Sequence, residues 1–469
     1  MTRAANSNNE PMIESVPSPD VVHSSLKKRT VRATTWTLIA TYGSQAIRLA
    51  SNLVLTRLLF PEAFGVMAGA MLVLQSLNLF SDFGIQQSLI QDPRGDDRQF
   101  NDTAWTLQAI RGVVLWLVGC AIARFLHLAS ANGWLSQDSA LADPMLVQIL
   151  PIAGLSLIAI GFNATKLIGF RRHMTLGYEA AFQLGQLTVH VIIMVVWAWL
   201  YPSVWALVGG LVLSSVLSAI ASHLMLPGSR NRFCWNREVL TSLIRFGRFI
   251  FISTIFTFIA VNAQRLILGT ILPTDQFGIY SIALVLSLVI VTAMDRLNAS
   301  VLFPLYSQLV RRNDPQGMRL NIGRIRMGLL AIAMPLMWTV AVFGRQIVRM
   351  FYDVRYEEAG WMLQLLAVGA TITVVTATVR PLLLAHGHAK RHLLSTAAGS
   401  TMLLFAMSVG GYLGGVVGVL IGAAVGELIQ HLILLGIVHR YGVINAKLDL
   451  AVLSLSAVVI GTGWALHGF

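Results

Sequence analysis

The feature that most constrains this chain is a succession of apolar runs, each roughly 18 to 27 residues long and separated by short polar punctuation. A helix needs about 20 residues to cross a hydrocarbon core, so each run is long enough to span. Thirteen such segments can be placed, near 35–59, 64–90, 104–127, 145–170, 177–200, 204–226, 242–270, 277–303, 319–343, 359–384, 392–413, 415–439 and 449–467. Transmembrane strands would show polar residues at every second position over about ten residues. The runs show no such alternation. Only 12% of residues are charged, about half the share usual in soluble domains. The expected fold class is an all-α polytopic membrane protein.

A net charge of +13 would suggest nucleic acid as a partner of a soluble protein, but here the cations sit mostly at the ends of spans. Translocated loops disfavour Lys and Arg. With the N-terminus in the cytoplasm, 24 of the 34 Lys and Arg fall inside and five outside. Three of the five, Arg345, Arg349 and Arg355, crowd one outer loop with Asp353, Glu357 and Glu358, which suggests a short interfacial helix there. Residues 1–34 read as a disordered cytoplasmic tail, because they are polar, proline-bearing and end in the basic cluster Lys27, Lys28, Arg29 and Arg32. Cys120 and Cys234 lie too far apart in depth to pair, and no metal-ligand or Walker spacing is present. No cofactor and no catalytic residue is expected.

An internal repeat divides the chain. Phe64 and Phe277, Gly65 and Gly278, and Asp82 and Asp295 are each offset by 213 residues. Six spans precede a basic linker at 227–241 and six follow it, as in transporters built from parallel repeats. The expected organisation is an N-terminal lobe at 35–226, a C-terminal lobe at 242–440 and an additional span within 441–469.

Polar residues recur at helical spacing within several spans. In the first, Thr41, Ser44, Gln45, Arg48, Ser51 and Asn52 share one face; in the fifth, Glu179, Gln183, Gln186 and His190 do. The seventh carries Thr254, Thr257, Asn262 and Arg265 more loosely. Such stripes must face protein or water, so they line either a hydrophilic cavity or contacts between helices. Arg48, Arg111, Arg265, Arg296 and Arg380 lie within spans, where an arginine costs about 2.5 to 3.5 kcal/mol. Each either snorkels or serves a buried anion, and Arg48, midway along its span, is the hardest to explain by snorkelling. With Gln45 and Asn52 beside it, it leads the substrate-binding candidates, followed by Arg111, Arg265 and Arg296. For ion coupling or gating the candidates are Glu427 with His431 one turn on, then Asp82, Asp295 and Glu179.

The stretches Thr56-Arg57-Leu58-Leu59-Phe60-Pro61-Glu62-Ala63-Phe64-Gly65, Ser81-Asp82-Phe83-Gly84-Ile85, Phe277-Gly278-Ile279-Tyr280, Leu302-Phe303-Pro304, and Phe351-Tyr352 with Tyr356-Glu357-Glu358-Ala359 carry a family resemblance. They resemble the polysaccharide-transporter family of the multidrug/oligosaccharidyl-lipid/polysaccharide superfamily, the Wzx-type flippases. The resemblance implies two six-helix lobes around a central cavity in 12 to 14 spans, in a bacterial inner membrane. It also implies export of undecaprenyl-diphosphate-linked oligosaccharide units to the outer leaflet for lipopolysaccharide, exopolysaccharide or capsule. The partners implied are that lipid-linked oligosaccharide, membrane lipid, and a polysaccharide polymerase and glycosyltransferases; no nucleic acid is expected. Where many relatives carry an acid near the outer end of the seventh span, this chain has Gln264 and Arg265. Two alternatives stand beside this reading: a drug or metabolite antiporter of the same superfamily, with a less cationic cavity, and a membrane-integral polymerase or glycosyltransferase. An enzyme of that kind usually carries acid/base groups in sizeable outer loops, and the longest here, 128–144, has only Asp138 and Asp143.

The orientation can be checked with single cysteines in intact cells. A cysteine at position 138 should react with a membrane-impermeant thiol reagent, and one at position 232 should react only after permeabilisation. Labelling of position 138 solely from the cytoplasmic side would reverse the topology.

Overall fold

A computed structural model describes residues 19–81, 85–172, 175–228, 230–311, 315–439 and 446–467. Sixteen helices follow in order: α1 (Pro19–Leu58), α2 (Pro61–Phe80), α3 (Ile85–Gln91), α4 (Arg98–Ala131), α5 (Pro144–Gly161), α6 (Lys166–Arg172), α7 (Leu176–Leu200), α8 (Val204–Leu224), α9 (Arg237–Ile271), α10 (Thr274–Leu297), α11 (Phe303–Arg311), α12 (Pro315–Phe351), α13 (Ala359–Val379), α14 (Pro381–Ala385), α15 (Ala389–His439) and α16 (Ala446–His467). No strand occurs among the described residues. Among the described residues, ten helices are long and apolar enough to cross a membrane.

α15 is two spans. Gly414 and Gly415 leave helical geometry, and Gly415 has φ 56° with ψ −135°, a backbone region open essentially to glycine. The halves fold back on each other so closely that a Cβ on Gly410 would lie 2.1 Å from the Gly418 carbonyl oxygen. With α15 divided and α1 and α9 included, thirteen long helices among the described residues overlap the thirteen expected segments.

Other expectations need correcting. The tail expected to be disordered over 1–34 is helical from Pro19, which suits the first helical position because its missing N–H has no intrahelical partner there; residues 1–18 lie outside the described set. The second, fourth and tenth segments are each broken in two, the tenth at Pro381, which cannot donate to the preceding turn. The interfacial helix expected near Arg355 is a three-residue 3₁₀ turn, Val354–Tyr356. The linker is shorter than 227–241, because α9 begins at Arg237, capped by the Asn236 side chain.

That linker is strapped to the first lobe. The Arg232 N–H donates to Asp102 at 3.1 Å, the Cys234 N–H to Thr106 at 3.0 Å, and the Thr165 N–H to the Asn231 side chain at 3.1 Å. Nearby, the Arg94 guanidinium donates to Asp92 at 3.0 and 3.2 Å and holds that carboxyl below its ordinary range.

Two lobes result. α4 packs on α5, α1 on α7, and α8 on both α5 and α7; across the linker, α13 packs on α10, α12 and α15, and α9 on α15. Leu146, Ile149, Leu150 and Leu157 centre the first core; Tyr280, Met362, Leu363 and Leu420 centre the second. The unmatched α16 packs on α12. It is fastened by an ion pair between Arg326 and Asp449, both 1% exposed, with Arg326 also donating to Thr378 at 3.0 Å.

The lobes meet where α1 ends and α2 begins, the end expected to face outward. Here the repeated Phe-Gly pairs cross. A Cβ on Gly65 would lie 1.8 Å from the Thr274 carbonyl oxygen, and one on Gly278 would lie 2.0 Å from that of Pro61. Around this contact Tyr356 donates to Leu59 O at 2.9 Å, Tyr352 to Asn52 at 3.1 Å, and Thr274 to Asp143 at 2.6 Å. The residues that revealed the repeat thus form a reciprocal seal between its copies.

Two measurements test these contacts. Gly65→Ala or Gly278→Ala, in a chain lacking Cys120 and Cys234, should hold the seal apart, so that a cysteine at position 51 reacts from outside; protection equal to the parent's would show that the glycines are not needed for closure. Asp449→Leu should destabilise by about 3–5 kcal/mol by stranding a buried guanidinium. The double variant Arg326→Met/Asp449→Leu should regain most of that in thermal melts in detergent, and equal melting of all three forms would mean that apolar packing alone retains α16.

Candidate functional site

Beneath the seal lies a cavity of about 320 Å³ between the lobes, lined from α1 by Arg48, Ser51, Asn52 and Leu55, from α2 by Phe64, Met67, Met71 and Gln75, from α7 by Leu187, His190 and Met194, from α9 by Arg265, and from α10 by Tyr280 and Ser281. Arg48 lies ten residues before the end of α1, about 15 Å along its axis. That is mid-membrane depth. Its guanidinium makes no hydrogen bond or ion pair with any described residue. Arg265, from the other lobe, donates to the Gln75 side chain at 3.1 Å. No carboxylate is among the described lining residues. Two guanidiniums without an acid make a site for an anion, and planar guanidinium suits phosphate oxygens two at a time.

The α1 stripe is therefore a cavity face in its outer half, through Arg48, Ser51 and Asn52. Its inner half is not, since Thr41, Ser44 and Gln45 are absent from the lining, and Ser44 bonds back to the Thr41 carbonyl at 2.8 Å. Asn52, besides lining the cavity, accepts from Tyr352. On α9, Asn262 is fully buried, and the side chains of Thr254 and Thr257 lie outside the described set.

The remaining candidates disperse. Arg111 clamps the end of α2, donating to Ser81 Oγ and to the Asn78 carbonyl, each at 2.9 Å. A helix C-terminus with orphan carbonyls attracts a cation, so Arg111 has a structural explanation. Arg296 and Asp295 are exposed at the end of α10 and outside the cavity. Arg380 lies within electrostatic reach of Asp295, Glu427 and His392. Asp82 falls outside the described residues.

The structure does not pair Glu427 with His431. Glu427 bonds the Thr373 side chain and keeps one carboxylate oxygen buried without a partner. His431, one turn on, points instead to Thr376 at 3.0 Å and to Asp449 at 3.9 Å. Residues four apart share a face, but each side chain here finds its own partner on α13 or α16. Glu179 is buried and ion-paired with Arg171 at 2.5 Å.

Sequence reasoning missed Gln75, one of two amides in the apolar α2 and the one deeper in the helix, which is the signal that could have found it. It also missed the Arg326–Asp449 pair, which joins one of three arginines in the ninth segment to the acid that opens the thirteenth. At the outer surface a larger hollow, about 580 Å³, is lined by Arg345, Arg349, Arg355, Glu357, Glu358 and Trp361. The expected neutralisation occurs there: Arg349 pairs with Glu357 at 2.5 Å and Arg355 with Asp353 at 2.8 Å. The Arg355 hydrogen bond holds the Asp353 carboxyl below its ordinary range.

Comparison with known proteins agrees with this architecture. The chain is 22% identical over 388 residues to the lipopolysaccharide biosynthesis protein WzxC of Escherichia coli (strain K12), covering 82% of this chain and 76% of that one. It is 22% identical over 333 residues to the succinoglycan biosynthesis transport protein ExoT of Rhizobium meliloti (strain 1021), covering 68% of this chain and 63% of that one. The fold matches the lipid II flippase MurJ in an inward closed conformation with a TM-score of 0.72, at 13% identity over 92% of each chain. It also matches an inward-facing multidrug resistance MATE family transporter of the MOP superfamily with a TM-score of 0.62, at 13% identity over 89% of this chain and 95% of that one. A family model described as polysaccharide biosynthesis protein matches residues 54–360, and with that match spanning both lobes and the seal between them, the chain belongs to this polysaccharide biosynthesis family.

Proposed function

We propose that this chain flips a polyprenyl-diphosphate-linked oligosaccharide from the cytoplasmic to the outer leaflet of a bacterial inner membrane by alternating access. The diphosphate lies between Arg48 and Arg265, while the polyprenyl tail stays in lipid. One observation carries the reading: a cavity built by both lobes presents two guanidiniums and no carboxylate among its described lining residues. A diphosphate crossing a membrane loses its hydration, at an idealised Born cost of order 20 kcal/mol for a bare small ion. Cations fixed at that depth offset the loss. The names of the family and of its relatives WzxC and ExoT support a role in polysaccharide precursor transport. A cation-exporting antiporter would need an acid where this cavity has Arg265. The process moves a lipid and breaks no bond, so it calls for no catalytic group; glycosyltransferases must supply the substrate and a polymerase or ligase must consume it.

The closed seal above the cavity corresponds, in this reading, to the state that loads from the cytoplasm. Opening it requires the two glycine contacts to part and the inner ends of the lobes to approach.

Arg48→Gln and Arg265→Gln should each abolish or severely reduce glycan export at matched protein levels. Arg48→Lys, which keeps the charge and loses the fork, should retain part of it. A charge-assisted hydrogen bond contributes about 1.5 to 3 kcal/mol, so losing one should weaken head-group binding roughly tenfold or more. Export by Arg48→Gln at the parent rate would make that residue structural and remove the reading's main support.

A further inference from the structure

A second, smaller pocket lies in the first lobe toward the expected cytoplasmic end. It measures about 170 Å³ and is lined by Gln86, Gln108, Asn163, Gln183 and Gln186, with the Phe182 ring and the Arg171–Glu179 pair at its wall. Five amides converging from α3, α4, α7 and the turn after α5 are unusual within a lipid-embedded lobe, where each polar group must find a partner. Some of their capacity is used. Gln183 donates to Glu179 at 2.7 Å, Gln108 to the Ile160 carbonyl at 3.2 Å, and Gln86 accepts from Arg171 at 3.1 Å. The rest is open: Asn163 Oδ1 is buried without a partner, and Gln186 makes no hydrogen bond with any described residue.

We propose that this amide pocket is a subsite for one neutral sugar of the transported glycan, an inference that rests on the flippase reading above. An amide carries both donors and acceptors, and a sugar hydroxyl is both at once, so an amide ring meets a pyranose without demanding charge. Charge is absent on balance, because Arg171 and Glu179 neutralise each other at 2.5 Å. An anionic group is thereby disfavoured here and directed to the cavity of Arg48. Phe182 offers an apolar ring against which the C–H face of a pyranose can lie, and the volume holds one ring.

The pocket also lies on the route to the central cavity. Glu179, Gln183, Gln186 and His190 follow one face of α7; the first three line this pocket, while His190 lines the cavity with Arg48. Gln183 and His190 are seven residues apart, about 10 Å along the helix. A sugar joined to a diphosphate can bridge that interval, so the two sites can be occupied by one molecule.

The test measures binding of two probes to the purified full-length protein: undecaprenyl diphosphate without sugar, and the lipid-linked glycans extracted from membranes of the host. The double variant Gln183→Leu/Gln186→Leu should bind the glycan-bearing lipid at least tenfold more weakly than the parent and the bare lipid equally well, the latter serving as the control for folding. Arg48→Gln should weaken both. Unchanged binding of both probes by the double variant, or an equal loss for both, overturns the subsite while leaving the flippase reading intact. A parent chain that binds neither probe overturns the flippase reading, and the subsite with it.

Discussion

A charge held within a membrane must be met by an opposite charge, by polar groups or by water, and that constraint sorts five arginines of this bundle. Arg326 is met by Asp449 and Thr378. Arg111 is met by the carbonyl end of α2. Arg380 has Asp295 and Glu427 within reach. Among the described residues, Arg48 and Arg265 are met by no acid, and they face the same hollow from opposite lobes. Their exposure to that hollow, rather than their presence in a span, sets them apart from the fastened arginines.

The seal extends the same logic from charge to backbone. Two helices can close a pathway tightly only where side chains are missing from the crossing, and the repeat supplies a glycine from each lobe at the same point. Gly65 and Gly278 bring α2 and α10 into backbone contact, and the hydroxyls of Tyr352 and Tyr356 bridge the lobes beside it. The cavity beneath thus has a roof made by the elements whose relative movement would open it.

Much of this was legible in the sequence, because period and depth are properties of a single helix. The long helical segments follow from the length of the apolar runs, and the polar faces of the first and fifth spans from which residues recur every three or four positions. Partnership is a property of two helices and was not legible. Glu427 and His431 look like a pair on one face, yet α13 and α16 draw them apart. Arg111 looks like Arg48 until the end of α2 is seen beside it. The fifth-span stripe was correctly read as polar, but only the fold shows that it serves two hollows in succession. Helix breaks at Phe162 and Arg380 escaped because hydropathy does not register a missing backbone hydrogen bond.

The Arg326–Asp449 pair also sets an order of events in biosynthesis. The two residues are 123 positions apart. At roughly 5–20 residues per second, synthesis of that interval takes about 6–25 s. Throughout it α12 carries a guanidinium whose counter-charge has not yet left the ribosome. The second lobe can therefore be inserted but not completed until α16 arrives, and the helix that neutralises Arg326 is made well after the helix that carries it.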